Sequence, residues 1–123
     1  MISGSKSIKF NDTIILDSSK FNLTLIKELA YASYYHDKFT GKKTASGKIF
    51  NNNELTCAHG SLPFGTILRV TSIKTNKSVD VTVTDRGPFH KTRDIDLSKK
   101  AFMNIAPNKY AGSIQVKLQK IHN

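Results

Sequence analysis

Four of the nine carboxylates in this 123-residue chain, Asp80, Asp85, Asp94 and Asp96, fall within seventeen residues. Carboxylates gathered in this way suit general acid/base work, in which one group protonates a leaving oxygen and a group takes a proton from the nucleophile. Asp85 ends the stretch Ser78-Val79-Asp80-Val81-Thr82-Val83-Thr84-Asp85, just before Arg86-Gly87-Pro88, and Asp96 lies in Asp94-Ile95-Asp96-Leu97, ahead of Ser98. Strand ends that feed loops are where rigid scaffolds present reactive groups. Each Asp also has a plainer reading. An Asp before Arg-Gly-Pro organises a turn, and one ahead of a Ser-capped helix serves the helix N-terminus.

Other chemistry has less to work with. Cys57 is the sole cysteine, which excludes an intramolecular disulfide framework and a cysteine zinc site. A Cys57/His59 nucleophile pair is conceivable, but a buried free thiol among small and apolar neighbours is the commoner use of such a residue. The four His are dispersed, with no pair at ligand spacing, so neither a metal nor a cofactor is expected.

The elements that must position these residues are mostly strands. Val79, Val81 and Val83 fall on one face with period two, the pattern of a half-buried strand. Thr66-Ile67-Leu68-Arg69-Val70-Thr71 and the run 113–121 alternate similarly, and Ala30-Tyr31-Ala32-Ser33-Tyr34-Tyr35 reads as a further strand. Pro63-Phe64-Gly65 and Lys74-Thr75-Asn76-Lys77 read as turns. Ser98 predicts the N-cap of a helix reaching Asn104, with Ala101, Phe102 and Ile105 inward. Residues 40–53 predict a long surface loop, and Asn53 the cap of a short helical turn reaching Cys57. Thr13-Ile14-Ile15-Leu16 and Leu23-Thr24-Leu25-Ile26 predict a hairpin, or a strand followed by a short helix. Many short strands with one small helix predict a compact mostly-β barrel.

Composition narrows the class further. One domain is expected at this length, and no apolar run approaches the roughly 18 residues of a membrane-spanning helix. The chain has 19 Lys plus Arg against 9 acids, a formal charge of +10. Such a surface attracts polyanions, yet the Lys are scattered, Arg is confined to Arg69, Arg86 and Arg93, and residues 98–123 hold five Lys and no acid. With no basic helix or aromatic-basic repeat, a solvated basic surface is expected and no nucleic-acid partner. Behind Met1-Ile2-Ser3-Gly4-Ser5 no apolar stretch and cleavage site follow, so no secretory signal is read.

Six motifs stand in order along the chain: Ala32-Ser33-Tyr34-Tyr35, Gly41-Lys42-Lys43-Thr44-Ala45-Ser46-Gly47, Leu55-Thr56-Cys57-Ala58-His59, Leu62-Pro63-Phe64-Gly65-Thr66, Val83-Thr84-Asp85-Arg86-Gly87-Pro88-Phe89 and Ile95-Asp96-Leu97-Ser98. In this order and spacing the chain resembles the rare lipoprotein A (RlpA) family over residues 29–121, with residues 1–28 as an N-terminal arm. The resemblance implies a six-stranded double-psi β-barrel with one or two short helices, the fold of expansins, barwin and the lytic transglycosylase MltA. It implies action on peptidoglycan glycan strands, preferably stripped of stem peptides, as an endolytic lytic transglycosylase that leaves 1,6-anhydro-N-acetylmuramic acid ends. In that reaction the substrate's own C6 hydroxyl is the nucleophile, so one acid/base group suffices where a hydrolase needs two. The implied setting is the bacterial periplasm or envelope, for a monomer whose export and lipid-anchoring signal is absent from these residues.

By the same resemblance Asp96 takes the general-acid position, Asp85 the Asp of the Asp-Arg-Gly-Pro motif and His59 the motif His, all lining one groove. Tyr34, Lys48, Asn51, Arg86 and Phe89 are the expected substrate-binding residues. Tyr34 stands where the family usually has Trp, offering a sugar-stacking face or core packing. Lys48 and Asn51 stand where the family usually has Glu and Asp. A cation beside the groove would favour the ionised form of a neighbouring acid, which works against a general acid. That departure motivates an alternative, a non-catalytic, expansin-like glycan-binding module.

Overall fold

Alternating β-branched residues need a partner on each edge and a core on one face, and closing the sheet on itself supplies both. The computed structural model describes residues 22–122. Six strands close into a barrel: β1 (Leu23–Tyr34), β2 (Thr56–His59), β3 (Ile67–Ser72), β4 (Ser78–Asp85), β5 (Ile95–Leu97) and β6 (Ile114–Ile121). Around the barrel the order is β1-β5-β2-β4-β3-β6. The β1/β5 and β2/β4 pairs are parallel and the others antiparallel. Among the described residues, one helix, α1 (Lys99–Ile105), and a 3-10 turn (Asp37–Phe39) complete the elements.

Inside, Leu68, Val70, Val79, Val81, Val83, Ile95, Leu97, Val116 and Leu118 are buried, joined by Phe102 and Ile105 of α1. The helix starts at the expected cap, where the Ser98 hydroxyl accepts from the Ala101 amide at 3.3 Å, satisfying one of the free N–H groups of the first turn. Asn52, itself buried, ties this helix to the segment after β1. Its Oδ1 accepts from the Lys99 amide at 2.7 Å, while its Nδ2 donates to the Tyr35 carbonyl at 3.0 Å and to Asp37 at 2.9 Å.

Several expectations are corrected. The helical turn expected from Asn53 to Cys57 is not formed; Thr56–His59 is β2, wedged between β4 and β5. Burial on both sides removes the alternation that would mark it as a strand. Leu23-Thr24-Leu25-Ile26 belongs to the single strand β1, which pairs with β6 from Leu23 onward and so begins inside the stretch expected as an arm. The companion segment Thr13-Ile14-Ile15-Leu16 lies outside the described residues. Residues 40–53 form an anchored hairpin-like loop with a bridge between Lys43 and Ile49. Phe50 anchors it, 4% exposed and stacked on Tyr35 with ring centroids 4.3 Å apart. Cys57 is buried in the core, and that burial pushes its thiol up from the ordinary value, so it packs as a small apolar side chain.

Candidate active site

The pairings of β2 with β4 and with β5 bring Asp85 and Asp96 together. Asp96 sits in the middle of β5, opposite Ser33 of β1 and Ala58 of β2, while Asp85, at the end of β4, is paired with that same Ala58. Both carboxylates open into one groove of about 640 Å³, lined also by Tyr34, Tyr35, Arg86 and Arg93. Lys42 and Lys43 of the 40–53 loop face it as well.

The carboxylates are held differently. Asp85 accepts three hydrogen bonds: from the Tyr35 hydroxyl at 2.5 Å on Oδ2, and from the Ala45 and Arg86 amides at 2.8 and 2.9 Å on Oδ1. Burial, and then the hydrogen bond to Asp85, push the Tyr35 phenol above its ordinary value, so Tyr35 remains a donor across the physiological range. Its ring is fixed by the stack on Phe50 and an edge contact with Phe39 at 5.8 Å. Asp96 accepts on Oδ1 from the Ser33 hydroxyl, and no other side-chain hydrogen bond reaches it among the described residues. Its Oδ2 therefore has room for a proton or for a substrate oxygen.

His59 is placed elsewhere. Its Nδ1 accepts from the Ser61 and Leu62 amides, each at 3.2 Å, a side-chain-to-backbone turn at the end of β2. Burial, with the charge of Arg86, holds its imidazole below the ordinary value despite the opposing pull of Asp94. It is a neutral turn residue, outside the lining of the groove. Arg86 links the two places: its guanidinium lies 4.0 Å from the Phe64 ring centroid and donates to the His59 carbonyl at 3.4 Å, while the residue lines the groove.

The remaining candidates divide. Tyr34 lines the groove and also packs on Phe102 with centroids 4.6 Å apart. Phe89 is 92% exposed and outside the groove lining; it follows Gly87, whose φ of 123° suits glycine alone. Lys48 and Asn51 are exposed residues of the 40–53 loop, outside the groove lining. The Asn51 side chain accepts from the Asn53 amide at 2.9 Å, and the Lys48 carbonyl accepts from the Thr44 amide at 2.8 Å. The cationic side chains that line the groove with the carboxylates are Lys38, Lys42, Lys43, Arg86 and Arg93. Sequence reasoning missed Tyr35, Ser33, Arg93 and the Ala45 amide. Ser33 and Tyr35 stand two residues apart in the Ala32-Ser33-Tyr34-Tyr35 motif at the end of β1, which was the available signal.

No group of three or more His, Cys, Asp or Glu among the described residues is arranged to hold a metal ion. No helix among them is long and apolar enough to cross a membrane.

A family model described as "Lytic transglycolase" matches residues 27–118. The chain belongs to this family. Its similarity to curated relatives is high within the barrel. It is 48% identical over 98 residues to the endolytic peptidoglycan transglycosylase RlpA of Rickettsia bellii, covering 77% of this chain and 43% of that protein. It is 53% identical over 74 residues to the protein of the same name from Campylobacter jejuni, covering 60% and 27%. The chain thus spans less than half the length of these relatives. Among solved structures, the expansin of Clavibacter michiganensis superposes with a TM-score of 0.64 at 20% identity, over 80% of this chain and 52% of that one. A Streptomyces papain inhibitor superposes with a TM-score of 0.61 at 23% identity, over 79% and 94%. These two likenesses establish the family's barrel as the fold found here.

Proposed function

We propose that this lytic transglycolase-family domain cleaves peptidoglycan glycan strands as an endolytic lytic transglycosylase, acting in the bacterial envelope. Strands freed of stem peptides are its preferred substrate. The observation that carries this reading is the asymmetry of the two groove carboxylates: Asp85 has both oxygens occupied by donors, and Asp96 has one free. The names of the relatives support it.

Asp96 is the acid/base. It protonates the oxygen bridging C1 of N-acetylmuramic acid to the next sugar, and the C1–O bond breaks. The substrate's O6 closes on C1, and the O6 proton passes to the Asp96 carboxylate, restoring it. No water is consumed, and one carboxyl group serves both proton transfers. Asp85, held in place by Tyr35, Ala45 and Arg86, is the fixed negative group that faces the charge developing on the sugar ring. Tyr34 offers its ring to a sugar face. His59 acts at a distance, by shaping the turn against which Arg86 rests.

The test is incubation with purified peptidoglycan, intact and amidase-stripped, followed by mass analysis of the soluble products. Anhydro-muropeptides that disappear with Asp96→Asn are the expected result. Sedimentation with the glycan but no anhydro product would replace this reading with that of a non-catalytic binding module. A mutant of the Clavibacter expansin has been solved with cellohexaose, so this barrel architecture accommodates a glycan-binding protein.

A further inference from the structure

Beside the groove lies a second and larger cavity, about 970 Å³, whose lining includes Lys27, Ser33, Lys91, Arg93 and Asp94. It adjoins the catalytic groove: Arg93 lines both, and Ser33 lines this cavity while donating to Asp96 of the groove. Arg93 is half-buried, and its Nε is buried with no hydrogen-bond partner. Its guanidinium forms no ion pair among the described residues. The nearest acid in sequence is already engaged, since Asp94 accepts from Lys27 at 2.8 Å and from the Tyr31 amide at 2.9 Å. Lys91 adds a second cation without an acidic partner among the described residues. A guanidinium with a buried, unmet Nε and no acidic partner beside it carries a cost that an anion entering the cavity can offset.

We infer that Arg93, assisted by Lys91, forms an anion subsite beside the scissile bond that takes a carboxylate borne by the glycan strand. A planar carboxylate fits the guanidinium fork in bidentate fashion, and a cavity of this size accepts a sugar ring with its substituent. The inference rests on the groove being the seat of a peptidoglycan strand. Such a strand has two sources of carboxylate, the lactyl group on the sugar, free where no peptide is attached, and the stem peptide itself.

The experiment measures dissociation constants by calorimetry, and KM and kcat where product forms, for wild type, Arg93→Gln and Arg93→Lys. The probes are peptide-free strands, the same strands with carboxyls converted to neutral amides, and peptide-bearing strands. The expected result is about 10- to 100-fold weaker binding of peptide-free strands by Arg93→Gln, expressed in KM more than in kcat. Wild type should lose a similar factor on the amidated strands, Arg93→Gln should not distinguish the two, and Arg93→Lys should recover part of the loss. An Arg93 effect confined to peptide-bearing strands would support the subsite with the peptide as its source. Equal binding of charged and amidated strands by wild type, with no Arg93 effect on any strand, would overturn it. The wild-type arm needs no variant to fold. Carboxylate-dependent binding without anhydro product would sink the lytic reading and keep the subsite; anhydro product formed with no carboxylate dependence would do the reverse.

Discussion

The two walls of the groove obey opposite rules. At the Asp85 wall the ligand's place is taken by the protein itself: a phenol and two amides fill the carboxylate, and Phe50 and Phe39 hold the phenol. At the Asp96 wall partners are left open, with a single hydroxyl on Asp96 and an unmet Nε at Arg93. Satisfied polar groups stabilise and fix geometry, whereas unsatisfied ones cost stability and wait for a partner. Under the proposed lytic reading, the motif residue with more hydrogen bonds is the scaffold of the site, and the one with fewer is where protons move.

Substitutions can break this contrast. Asp96→Asn has the largest expected effect, a loss of anhydro-product formation of about a hundredfold to ten-thousandfold, with a melting temperature close to wild type. An Asp96→Asn enzyme with full activity would end the assignment. Asp85→Asn should instead lower stability by about 1–3 kcal/mol, because an amide NH2 then faces a donor it cannot accept from. Denaturant titration beside the activity assay separates the two Asp variants. Tyr35→Phe keeps the stack on Phe50 and removes one of the three donors to Asp85. A stability loss of about 1 kcal/mol is expected, with a modest fall in kcat; no change in either would show that Asp85 is placed by the amides alone.

The smallest effect concerns His59. Its imidazole titrates below the ordinary value of 6.5 in the folded protein, so just below that pH the unfolded chain binds a proton that the folded chain refuses. Stability should be fully present above pH 6.5 and decline as pH falls through that value toward the folded one. His59→Asn, whose side-chain oxygen can still accept from the Ser61 and Leu62 amides, should flatten this slope in melting temperature. An unchanged slope would place its origin elsewhere.

Much of the barrel was legible because local pattern and final environment agree. β3, β4 and β6 alternate in sequence and are half-buried in the fold, and Ser98 caps its helix as its type predicts. β2 was hidden because its four residues, with Cys57 and Ala58 buried side by side between β4 and β5, show no period. Asn52 was passed over for Asn53, since nothing local distinguishes the Asn that will meet a helix start from its neighbour. The Asp85 and Asp96 candidates came from motif position, and the fold brings them to one groove. Their partners depend on the parallel crossover that sets β5 beside β1, a non-local pairing that no short window contains. The same limit applies to Lys48 and Asn51: their departure from the family pattern is plain in sequence, while their position outside the groove is a property of how the 40–53 loop folds back.

β5 is three residues long and has a neighbouring strand on each side, β1 parallel and β2 antiparallel. Exposing the Asp96 backbone to solvent therefore means separating both neighbours, which amounts to opening the barrel. Amide deuterium uptake around Asp96 should track the global unfolding free energy, while the 40–53 loop and the turn after Asp85 exchange through local opening. Asp96 would then ride on the slowest-exchanging part of the molecule, and the loops that flank its groove on the fastest.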